Sequence, residues 1–206
     1  MKRAVIFSGG AFEKPDWVTL PKDAVILCAD SGLRHAKALG ISPDWVLGDF
    51  DSSSEQPEGE SVLRYPPEKD DTDTELAIKR ALAMNCSHIT LLGATGGRLD
   101  HMVGNIHLLF PCLQKGTYAE IVDSQNRLYL IDGEHTFRKG ETWGKYISFL
   151  PLTEEVKGIT LRGFKYPLTD RDISIGTSLC ISNELVEEEG TITFSDGVLI
   201  TVESHD

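Results

Sequence analysis

Several features that would classify a chain quickly are missing or sparse here. The four cysteines, Cys28, Cys86, Cys112 and Cys180, lie far apart and form no Cys-x-x-Cys pair, so neither a zinc site nor a disulfide framework is expected, and reduced thiols in a cytoplasmic protein fit best. No run of about 18 apolar residues occurs, which leaves no transmembrane helix and no membrane partner to expect. Positive charge is scarce: 20 Lys and Arg stand against 32 Asp and Glu, a formal net charge of −12. The basic residues form no block, and because phosphate backbones demand clustered cations, a nucleic-acid partner is not expected. Neither Gly-x-Gly-x-x-Gly nor a Walker loop is present. Met1-Lys2-Arg3 resembles a secretory start, but the apolar run at 4–7 is too short for a signal core and meets Ser8-Gly9-Gly10, so a first strand is expected there.

What is present is ordinary globular composition, 40% hydrophobic over 206 residues, a length that suits two small domains. Continuous apolar runs at 4–7, 25–29, 45–47 and 88–92 are each followed by polar or glycine-rich segments, the form of buried parallel strands opening into loops. After the first, Gly9-Gly10 either offers amides to a phosphate or makes a plain turn. After the second, Asp30-Ser31-Gly32 leads into Leu33, Ala36 and Leu39, one face of a helix ending at Gly40. Asp30 either caps that helix or, with its first amides, meets a ribose or phosphate. Pro66-Pro67 stops a short strand at 62–65, and Thr72 with Glu75 fits a capping box ahead of a helix over 76–84. Gly93-Ala94-Thr95-Gly96-Gly97 precedes Arg98, and Met102, Val103, Ile106, Leu109 and Phe110 predict a buried helix face ending at Pro111. A glycine-rich turn between strand and helix lets amides approach a polyphosphate, and Arg98 adds a forked donor.

The acidic residues are concentrated at the expected strand ends. In Gly48-Asp49-Phe50-Asp51-Ser52, period-two alternation sends Asp49 and Asp51 to one side and Phe50 into packing. Two carboxylates so placed repel unless a cation lies between them, and hard oxygen ligands suit Mg²⁺. A polar turn is the plainer alternative. In Lys69-Asp70-Asp71-Thr72-Asp73 the capping box needs only Thr72 and Glu75, so Asp70, Asp71 and Asp73 are surplus charge beside Lys69, suited to metal binding and phosphate pairing. A third cluster surrounds Asp100. In an open α/β sheet such strand ends converge on one crevice, where ligands bind.

The strand expected at 121–123 closes this half, and after about Gln125 the pattern changes, dividing the chain into expected domains 1–125 and 126–206. Short strands are expected at 128–131, 135–137, 146–150, 159–161, 179–181, 191–194 and 199–202, with the turn spacing of a β-sandwich or barrel. Ser195-Asp196-Gly197 reads as a hairpin turn.

Taken in order, Ala29-Asp30-Ser31-Gly32, Gly48-Asp49-Phe50-Asp51-Ser52, Lys69-Asp70-Asp71-Thr72-Asp73, Gly96-Gly97-Arg98-Leu99-Asp100-His101 with Asn105, Gly163-Phe164-Lys165-Tyr166-Pro167-Leu168 and Ser182-Asn183 resemble the thiamine pyrophosphokinases over nearly the whole chain. Ser31 stands where many members have glycine. The resemblance implies an α/β fold: a mostly parallel, Rossmann-like N-terminal sheet with flanking helices, and a C-terminal all-β sandwich. It implies Mg²⁺-dependent transfer of a pyrophosphoryl group from ATP to the hydroxyethyl oxygen of thiamine, by a homodimer with shared sites. Asp49, Asp51 and Asp73 are then the expected metal ligands, with Asp71, Arg98 and Asp100 also catalytic. Asp30, Ser31, Gly32, Lys69, Thr72, Gly96, Gly97 and Arg98 would hold the nucleotide. Tyr166 would lie against a thiamine ring, and Ser182 and Asn183 would hydrogen-bond the aminopyrimidine. Asp73 and Asp100 are equal candidates for removing the hydroxyl proton. Two rival readings keep the pocket: a metal-dependent nucleotide pyrophosphohydrolase, which explains the carboxylates but gives no work to Tyr166, Ser182 and Asn183, and a non-catalytic nucleotide sensor, which has no need of so many carboxylates.

Overall fold

The structure, a computed structural model, describes residues 1–12, 17–50, 57–66 and 68–206. Asp51 and Ser52, and with them the expected alternation beyond Phe50, lie outside the described residues. The chain divides into two compact units, Met1–Ser124 and Gln125–Asp206.

In the first unit, strands β1 (Arg3–Phe7), β2 (Val25–Ala29), β3 (Trp45–Gly48), β4 (Val62–Arg64), β5 (His88–Leu92) and β6 (Tyr118–Val122) lie in the order β4-β3-β2-β1-β5-β6. Every neighbouring pair among them is parallel. The inner strands are buried on both faces, which is why they read as continuous apolar runs rather than alternating ones. Succession runs one way from β1 through β4 and the other way from β1 to β5, so the β1/β5 boundary is a topological switch point, where the diverging loops leave a crevice.

Helix α1 (Leu33–Ala38) follows a 3-10 turn at Asp30–Gly32 and ends at Gly40, whose φ of 68° suits glycine. Helix α2 (Asp73–Ala83) packs on β1, β2 and β3, with the Arg80 guanidinium 4.0 Å from the Trp45 ring centroid. Its N-cap is Thr72, whose Oγ1 accepts from the Glu75 amide at 3.2 Å. The Glu75 carboxylate turns to Lys79 instead, 3.0 Å away.

The helix expected to end at Pro111 is two helices: α3 (Leu99–His107) and α4 (Leu109–Gln114). Pro111 sits inside the first turn of α4, where a missing amide hydrogen does no harm. The expected apolar face is only partly buried. Leu109 is covered, whereas Val103 is 46% exposed and the buried residue of α3 is the polar Asn105.

The second unit contains strands β7 (Asn126–Ile131), β8 (His135–Arg138), β9 (Tyr146–Pro151), β10 (Glu155–Arg162), β11 (Leu168–Ser174), β12 (Glu189–Thr193) and β13 (Leu199–Ser204). They form two antiparallel groups, β7-β13-β9 and β11-β10-β12-β8. Phe137 of β8, Phe149 of β9 and Phe164 meet edge to face at 5.7–5.9 Å, joining the two groups through one buried aromatic cluster.

Three expectations in this unit fail for physical reasons. Strand β11 escaped notice because only Ile173 of its seven residues is buried, so it carries no apolar alternation. Residues 179–181 are no strand: Leu179 and Ile181 are exposed, and their apolar character belongs to an irregular segment. Ser195-Asp196-Gly197 closes no hairpin, since β12 and β13 belong to different strand groups. Its backbone bonds instead to Lys157 of β10, through Ser195 N–H at 2.9 Å and Asp196 C=O at 3.0 Å.

Candidate active site

One cavity of about 620 Å³ opens at the C-terminal ends of β1, β2 and β5 and the N-terminus of α2. Its walls include Asp30, Ser31, Lys69, Asp71, Thr72, Asp73, Gly96, Gly97 and Arg98, so the first unit brings most of the sequence-predicted nucleotide residues together. A smaller pocket of about 240 Å³ shares Thr72, His101 and Asn105 with it and adds Glu75 and Asp100.

The glycine-rich loops on either side of the switch point are built against each other. Gly10 N–H donates to Gly93 O at 2.7 Å and Ala11 N–H to Thr95 O at 2.8 Å. A side chain on Gly10 would sit 2.5 Å from Thr95 O. The amides after Gly9 are therefore engaged in joining two loops rather than turned to a phosphate, which answers the alternatives posed for that turn. At Gly32 a Cβ would lie 2.0 Å from Phe7 O, so close packing on β1 sets this residue.

Five residues that sequence reasoning gave no role hold these loops and the helices beside them. Arg34 Nη2 donates to Gly9 O at 2.8 Å, and His35 Nε2 lies 3.0 Å from Gly10 O. Burial lowers the His35 pKa, so the ring sits neutral against that carbonyl and donates to it. Ser8 and Thr74 hydroxyls meet at 3.0 Å, tying β1 to the first turn of α2. Asn105 was noted only as part of a motif, and its Nδ2 donates to Ala94 O at 2.9 Å, pinning the loop after β5 to α3. The only available sequence signal was their nearness to the glycine-rich and acidic motifs.

Charge in the cavity is arranged around Lys69. Its ammonium lies 3.3 Å from Asp49 Oδ2 and 3.0 Å from Asp73 Oδ1, and the three side chains are only 13%, 16% and 23% exposed. Asp73 Oδ1 is held by charge rather than by an aligned hydrogen bond, and Asp30 Oδ1 is buried without a hydrogen-bond partner. Burial alone would lower the Lys69 pKa, but Asp73 and Asp49 together outweigh it and hold the ammonium charged. Burial raises the Asp73 carboxyl, and the Asp30 and Asp49 charges add to that against the pull of Lys69. Phe50, beside this cluster, is buried with φ 57°, so the extended chain ends before it.

The other acidic residues are differently employed. Asp71 is 2.6 Å from Lys79 Nζ, which lowers its pKa. Asp100 takes a two-pronged bond from Arg98, Nε to Oδ1 at 3.1 Å and Nη2 to Oδ2 at 2.6 Å. That guanidinium brings the Asp100 carboxyl down to about 2. Asp73 and Asp100, alike in sequence, are therefore held in opposite electrostatic settings.

In kind, the donors suit a hard cation: carboxylate oxygens of Asp49 and Asp73, partly withdrawn from water with a lysine ammonium against both, and the Asp30 carboxylate lining the same cavity. Among the described residues no three His, Cys, Asp or Glu side chains are grouped tightly enough to hold a metal, and Asp51 falls outside them.

In the second unit, Tyr166 is 56% exposed. Ser182 is exposed, adopts φ 56°, and donates its amide to Ser148 Oγ at 2.9 Å. Asn183 is 2% exposed, and its carboxamide clasps the Tyr166 backbone. Oδ1 accepts from Tyr166 N–H at 3.0 Å and from Glu184 N–H at 3.0 Å, while Nδ2 donates to Tyr166 O at 2.9 Å.

Comparison with known proteins agrees with both units. The family profile "Thiamin pyrophosphokinase, catalytic domain" matches residues 18–121, and "Thiamin pyrophosphokinase, vitamin B1 binding domain" matches 134–199. Thiamine pyrophosphokinase of Bacillus subtilis is 41% identical over 184 residues, 86% of each chain. A crystal structure of thiamine pyrophosphokinase from Bacillus subtilis superposes with TM-score 0.89 at 35% identity over 100% of both chains. One from Geobacillus thermodenitrificans gives 0.84 at 36% identity over 100% of this chain and 98% of that one. With its parallel α/β unit, its antiparallel β unit and these matches across both, the chain belongs to the thiamine pyrophosphokinase family.

Proposed function

We propose that this chain transfers the pyrophosphoryl group of ATP to thiamine, as its family does, with the cavity of the first unit holding the nucleotide and the second unit supplying thiamine contacts. The observation that carries the site assignment is the convergence of Asp30, Lys69, Asp73, the glycine-rich loop and Arg98 on one cavity at a switch point. Asp49, Asp51 and Asp73 would hold Mg²⁺, which when bound neutralises phosphate charge and favours its displacement. Asp30, Ser31, Gly32, Thr72, Gly96 and Gly97 would line the nucleotide, and Lys69 and Arg98 would pair with phosphate oxygens. The thiamine hydroxyl oxygen forms a bond to the β-phosphorus as the bond from that phosphorus to the α,β-bridging oxygen breaks. AMP departs with that oxygen, and the hydroxyl proton passes to a carboxylate. Such a reaction needs positioning and charge stabilisation more than covalent help. Asp73 and Asp100 are the candidate acceptors for that proton, the first buried beside Lys69 and the second gripped by Arg98.

In this reading Tyr166 faces the thiamine, and Asn183 acts by holding Tyr166 rather than by touching substrate. The working form is a cytoplasmic homodimer with sites shared between chains. No helix among the described residues is long and apolar enough to cross a membrane.

The deciding experiment incubates the protein with ATP, Mg²⁺ and thiamine and resolves the products. Thiamine diphosphate with AMP supports the assignment; nucleotide cleavage independent of thiamine would replace it with a pyrophosphohydrolase. For the shared site, co-expressed chains carrying Asp73→Asn and Tyr166→Ala should recover activity in the heterodimer, one of whose two sites is intact. Heterodimers no better than either parent would put each site within one chain.

A further inference from the structure

Lys69 holds a position that the proposed metal should hold. Its ammonium is within 3.3 Å of Asp49 Oδ2 and 3.0 Å of Asp73 Oδ1, at 13% side-chain exposure. We propose that Lys69 is a built-in counter-ion that occupies the cation position in the free protein and yields it only when nucleotide phosphate arrives to pair with the displaced ammonium. The proposal rests on the metal and nucleotide assignments made above.

Two carboxylates, those of Asp49 and Asp73, partly removed from water, destabilise each other unless a positive charge lies between. Lys69 supplies that charge from within the chain, anchored four residues before Asp73, the first residue of α2. Mg²⁺ needs the same oxygens in near-octahedral array and gives up its own water reluctantly. An ammonium and a dication cannot share those oxygens, so the metal must displace the lysine. Displacement alone leaves a largely buried ammonium unpaired, which is costly. A phosphate oxygen in the same cavity removes that cost. Bare metal is therefore opposed by Lys69, while metal arriving with nucleotide is not. Asp30 lines the same cavity, its buried Oδ1 has no hydrogen-bond partner and its charge acts on Asp73, so Lys69 does not neutralise every carboxylate near it. By linkage, whatever factor the nucleotide adds to metal affinity, the metal adds to nucleotide affinity.

The test titrates Mn²⁺, in the full chain, by calorimetry and by the electron paramagnetic resonance of free Mn²⁺, with and without α,β-methylene-ATP. In wild type the nucleotide should tighten Mn²⁺ by about tenfold or more, within the usual span of coupling between sites. In Lys69→Met and Lys69→Gln, bare Mn²⁺ should bind about tenfold tighter than in wild type, and the coupling should shrink accordingly. Both variants should also show a lower Tm in chelator and a larger rise on adding Mn²⁺. Lys79→Met removes an equal charge from an ammonium that pairs with Asp71 and Glu75 and is 54% exposed. It should leave bare Mn²⁺ affinity unchanged, which separates local competition from net charge. Unchanged bare affinity in both Lys69 variants, with the nucleotide coupling intact, would overturn the counter-ion role and leave the metal site standing. Mn²⁺ bound by none of the proteins, with or without nucleotide, would overturn the metal site and this proposal with it.

Discussion

Replacing Asn183 by alanine should damage the fold of the second unit more than any direct loss of a substrate contact would require. The side chain is 2% exposed and makes three hydrogen bonds, two to the backbone of Tyr166 and one to Glu184 N–H. At a net of about 1 kcal/mol each, their removal costs about 3 kcal/mol, with the freed Tyr166 groups partly recovering water. Asn183→Asp should not rescue it. A carboxylate still accepts from the two amides but turns an acceptor toward Tyr166 O, where Nδ2 now donates at 2.9 Å. Ser182→Ala is the internal control, because this neighbour is exposed and reaches Ser148 through its backbone amide, which the substitution keeps. Its stability should stay within about 0.5 kcal/mol of wild type. Urea denaturation followed by Trp143 fluorescence in a protein carrying only that tryptophan would measure all three, and the KM for thiamine would report the displaced Tyr166. If Asn183→Ala unfolded within about 0.5 kcal/mol of wild type, the clasp would not be holding Tyr166 and the reasoning would fail.

Other substitutions probe the first unit. Gly32→Ala places a Cβ 2.0 Å from Phe7 O and should cost about 3 kcal/mol or more with loss of nucleotide binding, whereas Gly104→Ala, in α3 with open space around it, should stabilise by about 0.5–1 kcal/mol; equal Tm values for the two would refute the packing argument. Arg98→Lys should weaken nucleotide binding in calorimetry, since a point charge cannot copy a guanidinium fork, while Tm stays unchanged because the Arg98 and Asp100 side chains are 73% and 63% exposed; wild-type affinity would remove Arg98 from the site. All four cysteines are buried, and burial takes Cys28 from 9.0 up to about 12. The folded thiol keeps its proton where the unfolded one loses it, so stability is full below about pH 9 and falls toward pH 12 by about 1.4 kcal/mol per pH unit for this thiol. Cys28→Ala should flatten that alkaline decline, measured by urea titration from pH 8 to 11, and an unaltered slope would count against the buried thiol as its source.

How much of this was legible in the sequence depended on whether the signal was local. Strands β1, β2, β3 and β5 announce themselves because burial on both faces demands unbroken apolar runs, and Thr72 with Glu75 marks the start of α2 because capping is a contact between near neighbours. The order of motifs was enough to identify the family. What the sequence could not carry were relations between distant residues. Asp73 and Asp100 are the same side chain in similar acidic surroundings, and only the fold buries one beside Lys69 and gives the other to Arg98. Gly9-Gly10 left a phosphate loop and a plain turn both open, and only the tertiary pairing of Gly10 with Gly93 and of Ala11 with Thr95 decided between them. Strand β11 carries its chain identity in backbone bonds to β10 rather than in apolar side chains, and the turn at Ser195-Asp196-Gly197 changes partners because β12 and β13 join different strand groups. Periodicity reports which face of an element is buried; it does not report against what, and it is the second of these that decides which carboxylate is basic, which amide is free and which asparagine holds a neighbour in place.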